Sequence, residues 1–301
     1  MDGKHKNLSI IFGILKYILI VLITVIIACT VSLRMLDIAG VRYTEIAWDE
    51  FTSRISRVEK DLELISERDM TIDVTIPNQS PLYGKKIIYD GDSIAANREN
   101  NGGGYAALIA EQSESTFENY AEGGAWLSSS DERHSVVDNI VNLPDDGDLY
   151  CFEGGINDYW ANIPLGECDP DNYEIIPDTN TICGAMEAVF RYCLENFPGT
   201  PVCFVIVHKI QNTAISENNN GDTFEDYRNA MILVCQKYSI PYYDAFGESG
   251  LNGWNETQNK LYLTGNKTGN GDGIHPNLEG YKRYYVPQLL TLFEKIMPME
   301  S

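Results

Sequence analysis

The sequence predicts an α/β domain of three layers, in which helices cover both faces of a central parallel sheet. Two observations lead to this prediction. From Lys85 onward, short apolar segments alternate with longer amphipathic ones, which is the pattern of strands that alternate with helices. Residues 202–207 are apolar throughout, as expected of a strand buried on both faces of a parallel sheet.

The alternation assigns five strands and five helices in chain order. The predicted strands are residues 86–90, 117–120, 148–152, 202–207 and 242–244. The predicted helices are residues 105–112, 134–141, 182–196, 224–238 and 278–297. Three long segments interrupt this order, and long loops in compact domains usually carry function or lack order. These segments are residues 159–181, 209–223 and 247–271.

A Gly-Asp-Ser turn, from Gly91 to Ser93, follows the first predicted strand. Ligands of open parallel sheets bind at the carboxyl edge, where this serine would lie. Its hydroxyl can act as a nucleophile when a base, an acid that orients the base, and oxyanion donors converge on it. Glycine, aspartate and serine are also common turn residues, so the tripeptide alone indicates no more than a turn.

Residues further along the chain offer the missing groups. Asp272 and His275 lie three residues apart on a predicted loop. This spacing allows the carboxylate to contact one ring nitrogen while the other nitrogen acts as a base. Between the serine and this pair, the backbone N–H of Gly124 and the side-chain amide of Asn157 are donors of the kind found in oxyanion holes. His134 and His208 are competing bases, but the polar neighbours of His134 place it at the surface, and His208, at the end of a strand, would line the site without catalysing.

Four short blocks in this order resemble those of the GDSL or SGNH hydrolase family. The serine block is residues 91–93, the glycine block 119–124, the Gly-x-Asn-Asp block 155–158 and the Asp-x-x-His block 272–275. The resemblance covers residues 80–298 and implies a flavodoxin-like strand order. One departure is Trp126, a bulky residue just after the glycine block that would narrow the pocket.

The resemblance also implies the roles of five residues in acyl transfer through a covalent intermediate. Ser93 would attack the carbonyl, His275 would take its proton, and Asp272 would orient His275. The oxyanion hole would consist of the backbone N–H groups of Ser93 and Gly124 and the amide of Asn157. Asp92 and Asp158 are expected to hold loop geometry.

An apolar segment predicts a transmembrane anchor within residues 1–35. The apolar part of this segment contains one charged side chain, that of Lys16. This apolar part is longer than the roughly 20 residues that span a bilayer. Because Lys4 and Lys6 precede it, the positive-inside rule places the N-terminus in the cytoplasm and the remainder outside. A cleaved signal peptide, or a lipoprotein processing site at Cys29, is the alternative.

Residues 36–80 are predicted to form an amphipathic helix and a linker. Apolar residues recur at spacings of three and four between Trp48 and Ile65, as in a heptad seam. The seam covers fewer than three heptads, so the helix either packs on the catalytic domain or mediates self-association through residues 48–65. Turn-forming residues then mark the start of the catalytic domain, assigned to residues 81–301.

The long loops are predicted to line the substrate site. Two of them adjoin the Asn157 and Asp272 blocks in sequence. Aromatic side chains beside amides and hydroxyls are suited to stacking on a sugar or another polar ring, although plain solvated loops are the alternative. The predicted substrate-lining residues are Trp126, Tyr159, Trp160, His208 and Trp254.

Charge and cysteine content exclude several other classes of protein. The chain has 44 acidic and 22 basic residues, and a net charge of −22 repels nucleic acid. No Cys-x-x-Cys motif occurs among the seven cysteines and only four histidines are present, so neither a metal nor another cofactor is predicted. In an oxidising compartment, Cys168 and Cys183 are the pair expected to form a disulfide.

These features together predict a single-pass membrane protein whose extracytoplasmic domain is a serine esterase. Its expected partners are the membrane and a small ester, such as an O-acetyl group on carbohydrate. An O-acyltransferase on the same scaffold and a catalytically silent binding protein are the alternatives. The complete set of five site residues argues against a silent protein. A lone membrane segment, without a multi-span channel for an acyl donor, favours hydrolysis.

Overall fold

The computed structural model describes residues 80–96, 104–211, 216–266 and 269–298, together with Ile23. The chain divides into two units, Met1–Ile76 and Pro77–Ser301, and the description below concerns the second. The predicted anchor and the predicted amphipathic helix and linker lie outside the described residues, apart from Ile23 and Ser80. Among the helices of the described ranges, none is both long and apolar enough to cross a membrane.

A parallel sheet of five strands forms the centre of the described unit. The strands are β1 (Lys86–Asp90), β2 (Thr116–Asn119), β3 (Leu149–Glu153), β4 (Val202–Ile206) and β5 (Tyr242–Asp244). Their order across the sheet is β2-β1-β3-β4-β5, and each neighbouring pair is parallel. Strands β3 and β4 are buried along their whole length, which explains their apolar sequences. The predicted parallel sheet is confirmed.

Ten α-helices connect and flank these strands within the described ranges. They are α1 (Ser93–Ala96), α2 (Gly104–Ser113), α3 (Val136–Asn139), α4 (Ile156–Ala161), α5 (Ile182–Asn196), α6 (Phe224–Lys237), α7 (Ala245–Glu248), α8 (Glu256–Tyr262), α9 (Leu278–Tyr284) and α10 (Val286–Ile296). A short 3-10 helix, Ile140–Asn142, extends α3.

The helices pack in two groups, one on each face of the sheet. Helix α2 contacts α9 and α10, whereas α5 contacts α3 and α6. The connection from β1 through α2 to β2 runs in one direction across the sheet. The connections through α5 and α6 run in the other direction. Because such crossovers are right-handed, α2 and α5 must cover opposite faces, which gives three layers.

Two predicted helices differ from those observed. The helix predicted over residues 278–297 is divided at Tyr285 into α9 and α10. Pro287, the second residue of α10, has no N–H to donate to the carbonyl of Arg283, so the hydrogen-bond ladder of α9 ends before it. The helix predicted from residue 134 begins instead at Val136, where Ser135 caps it. Helices α1, α4, α7 and α8 have only four to seven residues, too few to show a helical period.

A cluster of buried tyrosines joins the last two helices to the first strand. The ring of Tyr105 stacks on that of Tyr285 with centroids 5.7 Å apart, and it contacts Tyr89 and Tyr281 edge-on. The hydroxyl of Tyr281 donates to the carbonyl of Ile94 at 2.9 Å. This bond ties α9, which follows the Asp-x-x-His block, to α1, which carries the serine.

Cys168 and Cys183 form a contact that makes the predicted disulfide testable. Both are free thiols in this structure, and the two side chains are hydrogen-bond neighbours. Backbone bonds from the N–H groups of Ile182 and Cys183 to the carbonyls of Pro164 and Leu165 hold the two segments together. Burial raises the pKa of Cys183 to about 12, so spontaneous attack by its thiolate is slow at neutral pH.

We expect oxidised glutathione at alkaline pH to convert this pair into a disulfide, with two electrons passing to glutathione, which is reduced to two thiols. Mass spectrometry of a non-reduced digest detects the bridged peptides. Cys151 and Cys203 are also hydrogen-bond neighbours but are both almost fully buried, whereas Cys168 is partly exposed, so they serve as an internal control and should stay reduced in the folded protein. Recovery of Cys168 and Cys183 as free thiols after this treatment would contradict the expected bridge.

Candidate active site

The strand order creates a crevice beside β1. The chain leaves β1 towards β2 on one side and leaves β3 towards β4 on the other. At such a reversal the connections diverge and open a site at the carboxyl edge of the sheet. Ser93 lies just after β1, Gly124 after β2 and Asn157 after β3. Three of the four sequence blocks are therefore brought together by topology.

Ser93, His275 and Asp272 form a continuous chain of hydrogen bonds. The Oγ atom of Ser93 lies 2.9 Å from Nε2 of His275, and Nδ1 of His275 lies 2.6 Å from Oδ2 of Asp272. All three side chains are partly exposed, so the serine hydroxyl is open to a substrate. This geometry allows proton transfer from the serine to the histidine.

Asp272 is held as a carboxylate that orients the histidine. Burial alone would raise its pKa, but hydrogen bonds from the His275 ring and from the backbone N–H groups of Ile274 and His275 outweigh burial, and the pKa of Asp272 is lowered. The side-chain amide of Asn266 also donates to Oδ2 of Asp272. Asp272 therefore stays ionised at any pH at which His275 can act as a base.

The turn that carries Ser93 is packed against the end of β3. A Cβ atom at Gly91 would lie 2.7 Å from the backbone oxygen of Glu153, so only glycine allows this approach. The Oε2 atom of Glu153 accepts hydrogen bonds from the backbone N–H groups of Asp92 and Ala95, both at 3.2 Å. These bonds flank Ser93 on either side and fix its backbone.

Glu153 and Asp92 form a buried carboxyl pair that shares a proton. Burial and the neighbouring charge of Asp92 raise the pKa of Glu153 well above its usual range. Burial also raises the pKa of Asp92, to about 6. Two carboxylates in contact do not both ionise readily, so at neutral pH Glu153 holds the proton and Asp92 carries the charge.

Two backbone N–H groups are available for an oxyanion. A Cβ atom at Gly123 would lie 3.9 Å from the Cβ of Ser93, which places the glycine block against the nucleophile. Gly124 has a φ of +81°, a left-handed conformation that favours glycine. Within the described residues, the N–H groups of Ser93 and Gly124 donate no hydrogen bond. Such donors stabilise the charge that develops on a carbonyl oxygen.

Asn157 is held in place beside these donors. Its Nδ2 atom donates to the carbonyl of Ala125 at 3.1 Å and lies 3.4 Å from Oδ2 of Asp92. The second contact is long for a hydrogen bond, so it is the weaker of the two that hold the amide. The next residue, Asp158, accepts bonds from the backbone N–H groups of Leu127 and Ser128 and so fastens the glycine block to α4, as predicted.

A family model matches residues 91–283, and its description is GDSL-like lipase/acylhydrolase family. The chain belongs to this family. The match spans all four blocks and the site that they build. The expected hydrolase family is thus confirmed.

Two solved structures are similar to this GDSL-like chain. A protein from Lactobacillus plantarum is 23% identical, with a TM-score of 0.60 and coverage of 71% of this chain and 98% of that one. A possible lipase from Chitinophaga pinensis is 17% identical, with a TM-score of 0.54 and coverage of 70% and 98%. At these identities the likeness concerns the fold. Comparison with curated proteins gives no match.

The predicted lining residues divide into two groups. Trp126 is partly exposed just after the glycine block, while Trp160 and Trp254 are 45% and 63% exposed. The loop of Trp254 is close to the catalytic loop, because a Cβ atom at Gly253 would lie 2.1 Å from the carbonyl oxygen of Gly273. The exposure of these three tryptophans is compatible with the predicted lining role, which stays a prediction.

His208 and Tyr159 are not lining residues in this structure. The His208 side chain is wholly buried and its Nδ1 atom lies 2.7 Å from the hydroxyl of Tyr285. Burial lowers the pKa of His208 to about 3, so the ring is neutral. Tyr159 is 3% exposed and donates to the carbonyl of Ser216. Tyr159 was predicted to line the site because it follows the Gly-x-Asn-Asp block, and His208 because it follows a strand, but both side chains are buried.

His134 is not a solvated surface residue as expected. Its Nε2 atom lies 2.8 Å from Oδ1 of Asp90, the buried last residue of β1. Asp90 also accepts bonds from the amide of Asn139 and the backbone N–H of Gly91. His134 therefore braces the strand that leads into the nucleophile turn. Because this ring is engaged with Asp90, His275 remains the base that contacts Ser93.

Sequence reasoning missed Glu153 and Asn266. Glu153 had a detectable signal, because it is a charged residue at the end of an otherwise apolar strand, and such a residue is buried only with partners. Asn266 had none, because polar residues are common throughout its loop. Among the described residues, no cluster of three or more His, Cys, Asp or Glu side chains is placed to hold a metal ion.

The carboxyl pair predicts how stability depends on pH. A raised pKa means that the folded protein holds the Glu153 proton more tightly than the unfolded chain does. This contribution to stability is full below the unfolded pKa of about 4.3. It falls as pH rises through the folded pKa, by up to about 1.4 kcal/mol per pH unit. In Glu153→Gln the amide still accepts the two N–H bonds but does not titrate. The free energy of unfolding of this variant should therefore decrease less as the pH rises.

Urea unfolding of both proteins between pH 5 and 9 measures this difference. Glu153→Ala serves as the contrasting variant, because it leaves two buried N–H groups unsatisfied and should cost about 1–3 kcal/mol at every pH. Parallel stability curves for the original protein and Glu153→Gln across this range would show that Glu153 does not titrate as described.

Proposed function

We propose that this protein hydrolyses carboxylic esters through an acyl-enzyme on Ser93. The observation that carries the proposal is the hydrogen-bonded sequence from Ser93 Oγ to His275 Nε2 at 2.9 Å and from His275 Nδ1 to Asp272 at 2.6 Å. The proposal is further supported by the N–H groups of Ser93 and Gly124, which have no partner among the described residues, because a nucleophile without oxyanion donors gives little catalysis.

In the first half of the reaction, Ser93 Oγ attacks the ester carbonyl as its proton passes to Nε2 of His275. The carbonyl oxygen becomes an oxyanion and accepts hydrogen bonds from the N–H groups of Ser93 and Gly124 and from Asn157. Collapse of this intermediate breaks the bond to the leaving alkoxide, which takes the proton from His275. The products of this half are an alcohol and acyl-Ser93.

In the second half, a water molecule gives a proton to His275 and attacks the acyl carbonyl. Breaking the acyl–Oγ bond returns the proton to Ser93 and releases a carboxylic acid. The carboxylate of Asp272 stabilises the positive charge that His275 carries in each half. In an acyltransferase, a substrate hydroxyl would take the place of this water.

We propose an acylated carbohydrate as the substrate class. The exposed tryptophans support this choice. Trp160 belongs to α4, three residues after Asn157, and Trp254 lies on the loop that contacts Gly273. Flat apolar faces with a polar N–H suit the mixed surface of a sugar ring.

The catalytic prediction concerns Ser93→Ala, His275→Ala and Asn157→Ala. Ser93→Ala should abolish both ester hydrolysis and labelling by a fluorophosphonate, because the hydroxyl is the attachment point. His275→Ala should lose nearly as much, and the double variant little more, because the two residues act as a unit. Asn157→Ala should lower kcat by about 10²–10³, as for one lost oxyanion donor. Hydrolysis of 4-nitrophenyl acetate and gel-based labelling provide the measurements.

The Ser93→Ala protein must first be shown to unfold at the same urea concentration as the original. His134→Ala is a useful comparison, because His134 is also paired with an aspartate but does not contact Ser93. A folded Ser93→Ala protein that retains esterase activity would refute the acyl-enzyme. Acyl transfer to added alcohols faster than to water would favour the acyltransferase.

We also propose that residues 1–35 anchor the protein in a membrane with the catalytic domain outside. The apolar stretch interrupted only by Lys16, and the lysines that precede it, support this orientation. We expect the full chain to sediment with membranes until detergent is added, and a chain that starts at Thr71 to stay in the supernatant. Protease added to intact cells should remove the catalytic domain. Protection of that domain until lysis would contradict the orientation.

A further inference from the structure

Arg133 lies beside the proposed oxyanion hole. Its Nη1 atom is 3.5 Å from the carbonyl oxygen of Gly124, the residue whose N–H faces the oxyanion. A Cβ atom at Gly124 would lie only 3.0 Å from the same nitrogen. The guanidinium carbon is 5.7 Å from the centre of the Trp126 ring. A substrate whose carbonyl occupies the hole must therefore pass close to a positive charge.

Among the residues that the structure describes, no carboxylate neutralises the charge of Arg133. Arg191 and Arg228 form ion pairs with Glu187 and Asp244, as expected in a chain with twice as many acidic as basic residues. Arg133 forms no ion pair with any carboxylate of the described residues. Its weakly hydrated, planar group is suited to binding a carboxylate or phosphate through two parallel hydrogen bonds.

The backbone around Arg133 is held in place. Its N–H donates to Oγ of Ser130 at 3.1 Å. The next residue is His134, whose ring is bonded to buried Asp90, and whose carbonyl accepts the N–H of Trp126 at 3.0 Å. Asp90 directly precedes the nucleophile turn. The backbone at Arg133 is thus coupled to the nucleophile turn through a short series of bonds.

We propose that Arg133 is a specificity residue that selects esters carrying a negatively charged group next to the scissile bond. This inference rests on the proposed esterase function and specifies its substrate class. The charged group is a carboxylate or a phosphate, on either the acyl or the alcohol side of the ester. An acylated acidic sugar meets both this requirement and the stacking surface of the tryptophans. The strongly acidic protein as a whole repels such a substrate, so the local arginine supplies the attraction.

The test compares matched pairs of charged and neutral esters. Monoethyl succinate against ethyl butyrate places the charge on the acyl side, and acetylated glucuronic acid against acetylated glucose places it on the alcohol side. The original protein should show a higher kcat/KM for the charged member of at least one pair. Arg133→Gln should reduce that ratio about tenfold, and Arg133→Lys should reduce it less. Added salt should also reduce the ratio in the original protein.

Arg283→Gln is the matched control. Arg283 is likewise exposed and lies over aromatic rings, those of Tyr262 and Tyr284. Unlike Arg133, it is not near the glycine block in sequence. Its replacement should therefore leave both kcat/KM ratios unchanged. Equal ratios in the original protein and Arg133→Gln, for both pairs, would overturn the assignment.

A binding measurement separates failure of this inference from failure of the esterase proposal. Calorimetric titration of Ser93→Ala protein with the charged ester of the selected pair reports affinity without turnover. The Kd should rise about tenfold when Arg133→Gln is added to Ser93→Ala. If the original protein cleaves no ester, the titration uses both charged esters. If Arg133→Gln then raises the Kd, the anion site is supported although the esterase proposal has failed. If Arg133→Gln leaves the Kd unchanged, the anion site is rejected independently of the esterase proposal.

Discussion

The contact between the nucleophile turn and the end of β3 is the constraint on which the site depends. Residues of β1 and β3 are paired in register up to Asp90 and Phe152, so Gly91 and Glu153 meet immediately beyond the last pair. Any side chain at Gly91 would collide with the backbone of Glu153. Because the Glu153 carboxyl also holds N–H groups on either side of Ser93, the direction of the serine follows from the packing of the two strands.

This contact places buried carboxyl groups close to the reacting atoms, and their cost is offset in different ways. Asp90 and Asp158 each accept several hydrogen bonds, which compensate for burial. Asp92 and Glu153 instead share a proton, so that only one charge is buried at neutral pH. The remaining charge on Asp92 is favourable for the proposed reaction, because His275 would become positive in its transition state and nearby negative charge would stabilise it.

The fold and the convergence of the candidate catalytic residues could be predicted because both depend on local signals at strand ends. Apolar segments mark the strands, and the blocks that follow β1, β2 and β3 are short and rigid, so residues such as Ser93 converge through topology. The side chains that lie further from these ends could not be placed. Tyr159 follows a site block and His208 follows a strand end, but both are buried, because an aromatic ring at a loop boundary can pack either way. The pairing of His134 with Asp90 joins residues 44 positions apart, and no local pattern reveals it.

The residues that could be predicted and those that could not lie in different parts of the fold. The blocks at the carboxyl edge perform a reaction that many substrates could undergo, and they are built on the sheet. The walls of the site come from loops, whose sequences vary independently of the fold. Arg133 lies on such a loop, yet His134 ties that loop to the end of β1. The backbone of the proposed specificity residue is in this way held by the sheet, and a held backbone would help one charged side chain to discriminate between esters of similar size.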